Sequence, residues 1–556
     1  MQLRIERAPE NCYHVSLPGL LTTYGKNGDS KDMGKTVQRM EQAGAGRTLA
    51  LEQLEPRLLL SGNVLASVVG GSLVVTGDAL GNSVVIDQAG LAAGQFRIRP
   101  GDGTTTVNSG TDPVVLSGVT ANVQVVMGDG GDVVRIDGAA VPKSVSFDGG
   151  TGDNSLVIDP STIGGGVSIK NSGTSASFTL TGSVVNKSIK VSNASGGFSA
   201  TIQSSTTHSG IQIKSKVGDD SLTVQSSAIG GGIKASNGDG GTSTVISSSA
   251  IHGGVTLKGG SGFDDVHIEG ASMSGSVMLS NGGGGSATEI DPATVGGGLV
   301  VRNGGGSNAL SLAGLTVAGS VQVFTGGNST VDIDSSTIGG IVGVLSTGGS
   351  DTFSFTDSTV QSNMTILNQG SSSSMTIEDG SKINGVLSVA CFAGNATFTM
   401  SDSDVGGSAI VFSGSGGSSM TFGPGTVGGQ FGISTGSGVD DIVLNGLSVT
   451  GQTTILTGPG KDSVKVGSTS TFAGLFQLDT GLDEDKAFLS DSTFKGGMSV
   501  LMGDGSDTLQ IGIPKGITAY GIDTFDGGAG TDSLDMLHNG NWFAWQPTLI
   551  NFETIT

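Results

Sequence analysis

The chain has 556 residues, of which 99 are glycine and only 12 proline, so it is glycine-rich without the composition of collagen. Its net charge is −22; residues 1–60 hold 8 Lys+Arg and 7 Asp+Glu, which leaves 18 and 41 (26 − 8 and 48 − 7) for the remainder, a net of −23. This acidic body repels nucleic acid and attracts cations, and no apolar run approaches the roughly 20 residues of a membrane span. We therefore expect neither nucleic acid binding nor a membrane span.

Residues 1–62 lack a clear hydrophobic period and are predicted to be an unstructured targeting segment. The segment ends in Leu54–Gly62, which reads LEPRLLLSG. This stretch resembles the LEPR-XLL motif found near the N-terminus of many large, repeat-bearing proteins of planctomycete bacteria. The resemblance implies an exported or surface-directed protein, with the segment as a sorting tag. By its residues alone, the stretch is equally compatible with a short amphipathic helix that stops at Pro56.

Residues 63–160 are predicted to form an irregular β-strand cap and the first coils of a repeat structure. Asn63–Thr76 alternates apolar and polar residues around Gly70-Gly71 and is typical of a β-hairpin. The first coil of a stacked β-structure exposes unpaired backbone, so an atypical cap is expected at this end.

Residues 161–515 repeat one apolar pattern with a step of 21 to 23 residues. We call the residue at which each repeat of the pattern starts its anchor. The sixteen anchors are Ile163, Val185, Thr207, Ile229, Ile251, Met273, Val295, Val317, Ile338, Val360, Ile383, Val405, Val427, Val449, Phe472 and Phe494. Apolar residues recur 4 and 6 positions after most anchors, and again about 15 and 17 positions after them. This period-2 spacing predicts two strands per unit, and the anchor itself predicts a short third one.

A unit of about 22 residues cannot bury its own apolar face, so the units are expected to stack. The predicted fold is all-β: a right-handed parallel β-helix, or β-solenoid, with coils of about 22 residues. A two-sheet β-roll is the alternative, although its 18-residue turn offers less perimeter. Residues 516–556 are predicted to be the last coil and a C-terminal cap, with Trp542 and Trp545 as a lid over the core.

Several turns are rich in glycine and aspartate. Gly259–Val266 and Gly527–Leu534 match the calcium-binding RTX nonapeptide G-G-x-G-x-D-x-U-x, which these turns resemble. In the RTX family the nonapeptides follow one another directly, whereas here they are one coil apart. The resemblance implies calcium binding only where neighbouring coils both carry such a turn.

Four consecutive coils place aspartate at the same offset, 13 residues after their anchors. These residues are Asp440, Asp462, Asp485 and Asp507, and Asp532 is expected to continue the column. Carboxylates about 5 Å apart repel each other by ~1 kcal/mol even in water, and a hard cation reverses that sign. The column is therefore a candidate calcium site, although aspartate also favours glycine-rich turns for its own backbone hydrogen bonds.

The pattern favours a non-enzymatic structural or adhesive protein, extracellular or on the cell surface, with a polysaccharide or a protein as partner. The alternative is a polysaccharide-active lyase or hydrolase, because β-helices also carry such enzymes. The 21-to-23 spacing leaves no long insertion that would wall a cleft. A groove lined by three or more carboxylates together with a base would favour the enzyme.

Overall fold

A computed structural model divides the chain into two compact units, Met1–Leu59 and Leu60–Thr556. It describes residues 62–392, 394–536 and 540–556, and three short strands near the start of the chain. Those strands pair as an antiparallel meander within the first unit, although the sequence predicted no regular structure there: Arg4–Arg7, Tyr13–Leu17 and Leu20–Tyr24. The LEPR-XLL-like segment lies outside the described residues, apart from Gly62.

The second unit is a parallel β-solenoid of about 20 coils, each about 22 residues long, as the sequence predicted. All elements among the described residues are β-strands. A typical coil gives one strand to each of three parallel sheets, called faces 1, 2 and 3 in the order in which the chain visits them after an anchor. Three sheets exclude the two-sheet β-roll.

Face 1 begins four residues after most anchors. Its parallel strands are Ser72–Thr76, Val123–Val126, Val145–Asp148, Val167–Asn171, Ile189–Asn193, Ile211–Ser215, Ile233–Ser236, Val255–Lys258, Val277–Ser280, Leu299–Arg302, Val321–Thr325, Val342–Ser346, Met364–Asn368, Leu387–Cys391, Ala409–Ser413, Phe431–Ser434, Thr453–Leu456, Phe476–Asp479, Met498–Leu501, Asp523–Asp526 and Thr548–Ile550.

Face 2 follows the glycine-rich turn. Its parallel strands are Ser83–Asp87, Val133–Asp137, Asp153–Asp159, Ser175–Thr181, Gly197–Gln203, Asp220–Gln225, Thr242–Ser247, Asp264–Glu269, Ser286–Ile290, Asn308–Ala313, Ser329–Asp334, Ser350–Thr356, Ser372–Glu378, Asn395–Met400, Ser418–Phe422, Asp441–Asn445, Ser463–Gly467, Lys486–Leu489, Thr508–Ile511, Ser533–Asp535 and Thr554–Ile555.

Face 3 contains the anchors. Its short strands are Ala140–Val141, Thr162–Ile163, Val184–Val185, Thr206–Thr207, Ala228–Ile229, Ala250–Ile251, Ala271–Met273, Ala293–Val295, Thr316–Val317, Thr337–Ile338, Thr359–Val360, Lys382–Ile383, Ser403–Val405, Gly425–Val427, Leu447–Val449, Thr471–Phe472, Thr493–Phe494, Thr518–Ala519 and Trp542–Phe543. Two further short strands, Asp504–Gly505 and Ala529–Gly530, pair with each other.

The core is a stack of equivalent apolar residues, one layer per coil. Ile163 pairs with Val185, and Val167 pairs with Ile189, in the parallel register that the repeat predicts. All sixteen anchors are buried. The alternation of strand residues sends every second side chain inward, so one register satisfies all coils at once.

Antiparallel strands close the N-terminal end. Asn63–Val69 pairs with Ser72–Thr76 through a turn at Gly70 and Gly71, whose φ angles are +56° and +75°. Positive φ at both positions is the two-residue hairpin geometry that glycine accommodates, so the predicted hairpin is confirmed. On face 2, the edge strand Ser83–Asp87 is covered in the same way by antiparallel Gln95–Pro100.

The C-terminal residues continue the parallel faces instead of folding over them. Phe543 pairs with Ala519 and packs against the core, so its neighbour Trp542 points outward and is 49% exposed. Its ring lies 5.0 Å from that of Tyr520 on the outer surface, and Trp545 is 65% exposed. The predicted tryptophan lid is therefore wrong, because strand alternation places Trp542 on the solvent side.

Within the described residues, no helix has the length and apolar character needed to cross a membrane.

Candidate functional site

The five aspartates of the predicted site lie in one column along the turn between faces 1 and 2. Each occupies the same corner of successive coils, just before or at the start of a face 2 strand, and each side chain is at most 2% exposed: Asp440, Asp462, Asp485, Asp507 and Asp532. We call this set the aspartate column. The sequence placed these residues at one level; the structure adds that their carboxylates are buried within the turn.

One carboxylate oxygen of each column member bonds to the coil before it. Oδ1 of Asp462 accepts a hydrogen bond from the backbone N–H of Asp440 at 2.9 Å, and Oδ1 of Asp485 accepts from that of Asp462 at 2.8 Å. The pattern continues through Asp507 and Asp532, at 2.7 and 2.9 Å. Each aspartate therefore ties its own coil to the preceding one.

The second carboxylate oxygen, Oδ2, is buried in all five residues and has no hydrogen-bond partner. A buried carboxylate oxygen without a donor is costly, because the charge loses water and gains nothing in return. Five such oxygens in successive coils make this turn the least satisfied polar region among the described residues.

Threonine hydroxyls line the other side of the turn, beside the carboxylates. Thr457 donates its hydroxyl hydrogen to the carbonyl oxygen of Thr480 in the next coil at 2.8 Å, and Thr435 donates to the carbonyl of Thr457 at 2.7 Å. The same hydroxyls are close enough to the carboxylates to oppose the rise of their pKa. Because each hydroxyl has one hydrogen, it serves either the carbonyl or the carboxylate, and one of these acceptors is left without a donor.

Burial raises the pKa of every member of the aspartate column. Desolvation raises the pKa of Asp462 and Asp507 to about 6 and that of Asp485 to about 7, against an ordinary value of 3.8. Hydrogen bonds to backbone N–H groups oppose this rise, and the charges of neighbouring aspartates add to it. At neutral pH the column therefore holds charge at a cost, and either a proton or a cation relieves that cost.

The donor set fits calcium in its chemistry. Calcium prefers carboxylate and carbonyl oxygens, and the orphaned Oδ2 atoms are such ligands. Among the described residues, no group of three or more His, Cys, Asp or Glu side chains converges on one point. An ion in the column would therefore take its carboxylate ligands from no more than two coils and complete its shell with turn carbonyls and water.

The tight glycine turns keep backbone close to the column. Gly481 and Gly503 both have a φ of +93°, and a Cβ on Gly503 would collide with the carbonyl oxygen of Gly481 one coil earlier. Only glycine permits this stacking, so the turns bring carbonyl groups of successive coils together next to the carboxylates.

Two parts of the site were missed by the sequence analysis. The threonines recur five residues before Asp440, Asp462 and Asp485, a spacing that the printed sequence shows. Glu553, whose Oε2 accepts the backbone N–H of Asp532 at 2.7 Å and so ends the column, lies in the irregular tail and has no such signal.

The RTX-like turn at Gly259–Val266 differs from the column. Asp264 is fully buried, but its Oδ1 accepts the Thr242 hydroxyl at 2.7 Å and its Oδ2 accepts the Gly282 N–H at 2.6 Å. Both oxygens are satisfied by the protein, so a match to the nonapeptide does not by itself leave a free ligand.

Near the N-terminal end of the array, amides line the inside of the same corner, mainly at the ends of face 1 strands. Asn154 donates through Nδ2 to Oδ1 of Asn171 at 2.8 Å, Asn171 donates to Asn193 at 2.9 Å, and Asn193 donates to the Ser215 hydroxyl at 3.1 Å. All four side chains are buried. We call this set the asparagine ladder; each of its amides supplies both a donor and an acceptor.

A shallow groove of about 640 Å³ follows the outer edge of the turn between faces 1 and 2. Three of its lining residues are carboxylates, Asp219, Asp220 and Asp265, but none is a lysine, arginine or histidine. It therefore has three carboxylates on an open surface, with no cationic side chain beside them.

Comparison of the chain with protein-family models, with curated proteins and with solved structures gives no match.

Proposed function

We propose that the protein is a non-enzymatic β-solenoid, secreted or held at the cell surface, with a structural or adhesive role and with calcium stabilising its C-terminal coils. The observation that carries the proposal is the aspartate column, with its five buried Oδ2 atoms that lack a donor. The role of these side chains is to tie coils together through Oδ1 while Oδ2 remains available to a cation.

The stability of the contact between the column's coils depends on the charge of the aspartates. When the column is ionised, neighbouring carboxylates repel and the buried oxygens lack water, which weakens the contact between coils. A calcium ion bound between two coils turns that repulsion into attraction and stabilises the folded state only. The chemistry that calcium supplies here is neutralisation of charge, not catalysis.

The proposed location rests on one sequence observation. The Leu54–Gly62 stretch resembles a sorting motif of exported proteins. The proposed calcium site agrees with that location, because extracellular modules bind calcium with dissociation constants of ~10⁻⁴ to 10⁻³ M.

The non-enzymatic assignment is supported by the groove. Glycoside cleavage needs a proton donor and a base or nucleophile on opposite sides of the sugar, inside a cleft that orients the substrate. The groove at Asp219, Asp220 and Asp265 offers carboxylates, but it is shallow and open, and the 21-to-23-residue coil spacing leaves no loop that would enclose a sugar chain. A lyase or hydrolase is therefore less well supported than a binding or scaffold role.

The test is thermal unfolding of the full chain with calcium and with chelator. Calcium should raise the melting temperature, since a ligand at a hundredfold excess over its dissociation constant stabilises the native state by roughly 2.7 kcal/mol. The double variant Asp462→Asn with Asp485→Asn should lose most of that dependence, because the amide keeps the Oδ1 bond but replaces Oδ2 with an NH₂ group, which cannot bind calcium, in three of the four neighbouring pairs of the column.

The matched control is Asp265→Asn with Asp219→Asn, which removes two carboxylates from exposed positions outside the column. This control should respond to calcium as the native chain does. A melting temperature indifferent to calcium, or an equal loss in both double variants, would refute the calcium site.

A further inference from the structure

One part of the acidic solenoid is basic. Five lysines lie on the outer surface of face 1 in five successive coils, all of them exposed: Lys170, Lys190, Lys214, Lys234 and Lys258. We call them the lysine row. They belong to a body that holds only 18 lysines and arginines against 41 acids, so their concentration on one surface is a local reversal of charge.

Among the described residues, no ion pair neutralises the row, although Asp148 lies beside Lys170 at its N-terminal end. None of the five lysines forms an ion pair with a described residue, whereas exposed lysines elsewhere do, such as Lys461 with Glu484 at 2.7 Å. The outward positions between them on face 1 are all uncharged: Ser168, Ser192, Gln212, Ser236 and Thr256. The lysines therefore present free ammonium groups separated by hydroxyl and amide groups.

The row has a regular geometry. Lys170, Lys214 and Lys258 occupy one outward position of the strand in alternate coils. In the coils between, Lys190 and Lys234 occupy the outward position two residues earlier in the strand. Parallel strands are about 4.8 Å apart, so the ammonium groups form a zigzag of roughly 19 Å along the solenoid axis. This arrangement matches a linear polymer with regularly spaced negative charges that runs parallel to the axis.

We propose that the lysine row binds a linear acidic polysaccharide, a chain that carries carboxylates on its sugars. The lysines pair with the carboxylates, and the serine, threonine and glutamine side chains between them bond to sugar hydroxyls. This inference rests on the proposed adhesive role and names the chemistry of its partner.

Two other polyanions fit less well. A nucleic acid duplex or a flat anionic membrane is broader than the row and would bring its charges near the exposed carboxylates of Asp219 and Asp239 in the adjoining turns. Single-stranded nucleic acid is bound largely through stacking of its bases on aromatic side chains, and the outward positions between Lys170 and Lys258 on face 1 contain none.

The test is binding of the full chain to polygalacturonate at low ionic strength, with neutral dextran as the reference polymer. Chelator is present throughout, so that calcium neither gels the polymer nor acts through the aspartate column. The native chain should bind polygalacturonate with an affinity that falls as the salt concentration rises, and it should not bind dextran. The variant Lys190→Gln, Lys214→Gln, Lys234→Gln should bind about 100-fold more weakly.

The matched control removes three exposed lysines elsewhere: Lys382→Gln, Lys461→Gln, Lys495→Gln. It has the same net charge as the row variant and should bind as the native chain does. Equal weakening in both variants, or no binding by the native chain, overturns the inference. Row-dependent binding to single-stranded DNA or anionic vesicles, but not to polygalacturonate, also overturns it. A failure here together with calcium-dependent melting would leave the proposed calcium role intact.

Discussion

The asparagine ladder and the aspartate column fill the interior of the same turn at different places along one solenoid. In the ladder, Asn171 accepts from Asn154 and donates to Asn193, so both ends of its amide are used. In the column, Asp462 accepts through Oδ1 and leaves Oδ2 buried without a donor. The two sets occupy different positions of this corner: Asn171 ends a face 1 strand, whereas Asp462 lies just before a face 2 strand.

The difference shows how one fold separates stability from dependence on a ligand. An amide stack satisfies itself, because each side chain carries both a donor and an acceptor. A carboxylate stack carries acceptors only, so it needs protons or cations from outside. The coils of the asparagine ladder should therefore need no ion, whereas the coils of the aspartate column should respond to pH and to calcium.

The largest expected effect is on pH dependence. In chelator, the native chain should lose stability relative to the Asp462→Asn, Asp485→Asn variant as pH rises from about 4 to above 7. The folded pKa values of about 6 and about 7 lie above the unfolded value, so the folded state binds more protons in this range and loses that advantage as they leave. Each unit of raised pKa corresponds to about 1.4 kcal/mol, so the difference should reach several kcal/mol.

This experiment compares denaturant unfolding of the two proteins across the pH range. Calcium should reduce the difference at high pH, because it replaces the lost protons. Parallel pH profiles for the two proteins would mean that the column carries no unusual titration, and the contrast with the asparagine ladder would fail.

The next effect concerns the ladder. Asn171→Asp should convert one self-satisfied layer into an acidic one and cost about 3 kcal/mol at pH 8, because an acceptor then faces Oδ1 of Asn193. Rotation of the Asn193 amide would only move the unsatisfied group to the next coil. The cost should shrink near pH 4, where the new carboxyl group is protonated and can donate.

The control for this substitution is Ser168→Asp, an exposed residue of the same strand, which should change stability by less than about 0.5 kcal/mol. Equal costs for the two substitutions, measured by denaturant unfolding, would mean that the interior of the turn is not the closed, self-satisfied environment described above.

The smallest expected effect on stability comes from deletion of Met1–Leu59, which forms a unit separate from the solenoid. The melting temperature and the far-ultraviolet β signal should stay close to those of the full chain, while the protein should no longer reach its native location in the host. Loss of the β signal would show that the solenoid, and with it both turn regions, needs this segment in order to fold.

The sequence predicts most of the fold because the same apolar spacing recurs in every coil of the regular array. Each anchor such as Ile163 recurs at the next coil, so one slip of register would misplace a whole set of core residues. The tail has no such redundancy. The lid was predicted from the position of Trp542 near the end of the array, but the pairing of Trp542 with Thr518 turns its side chain outward.

The position of the candidate site was predictable from the repeat, but the hydrogen bonding of its carboxylates was not. The stacking of Asp440, Asp462, Asp485 and Asp507 follows from their constant spacing. Whether Asp264 or Asp462 keeps a free oxygen depends on the neighbouring donors, and this is a property of the folded turn. The lysine row is also invisible as a run in the sequence, since its members are 20 to 24 residues apart.

The hydrogen bonds that join the coils run along the axis of the solenoid, and this direction has a mechanical consequence. A tensile force applied to the two ends acts on all coil interfaces in series, so the weakest interface determines the force at which the molecule yields. In the coils of the aspartate column, the interface depends on the ions around it. Under the proposed calcium role, the C-terminal coils would resist the force when calcium is abundant and would be the first to separate when calcium is removed.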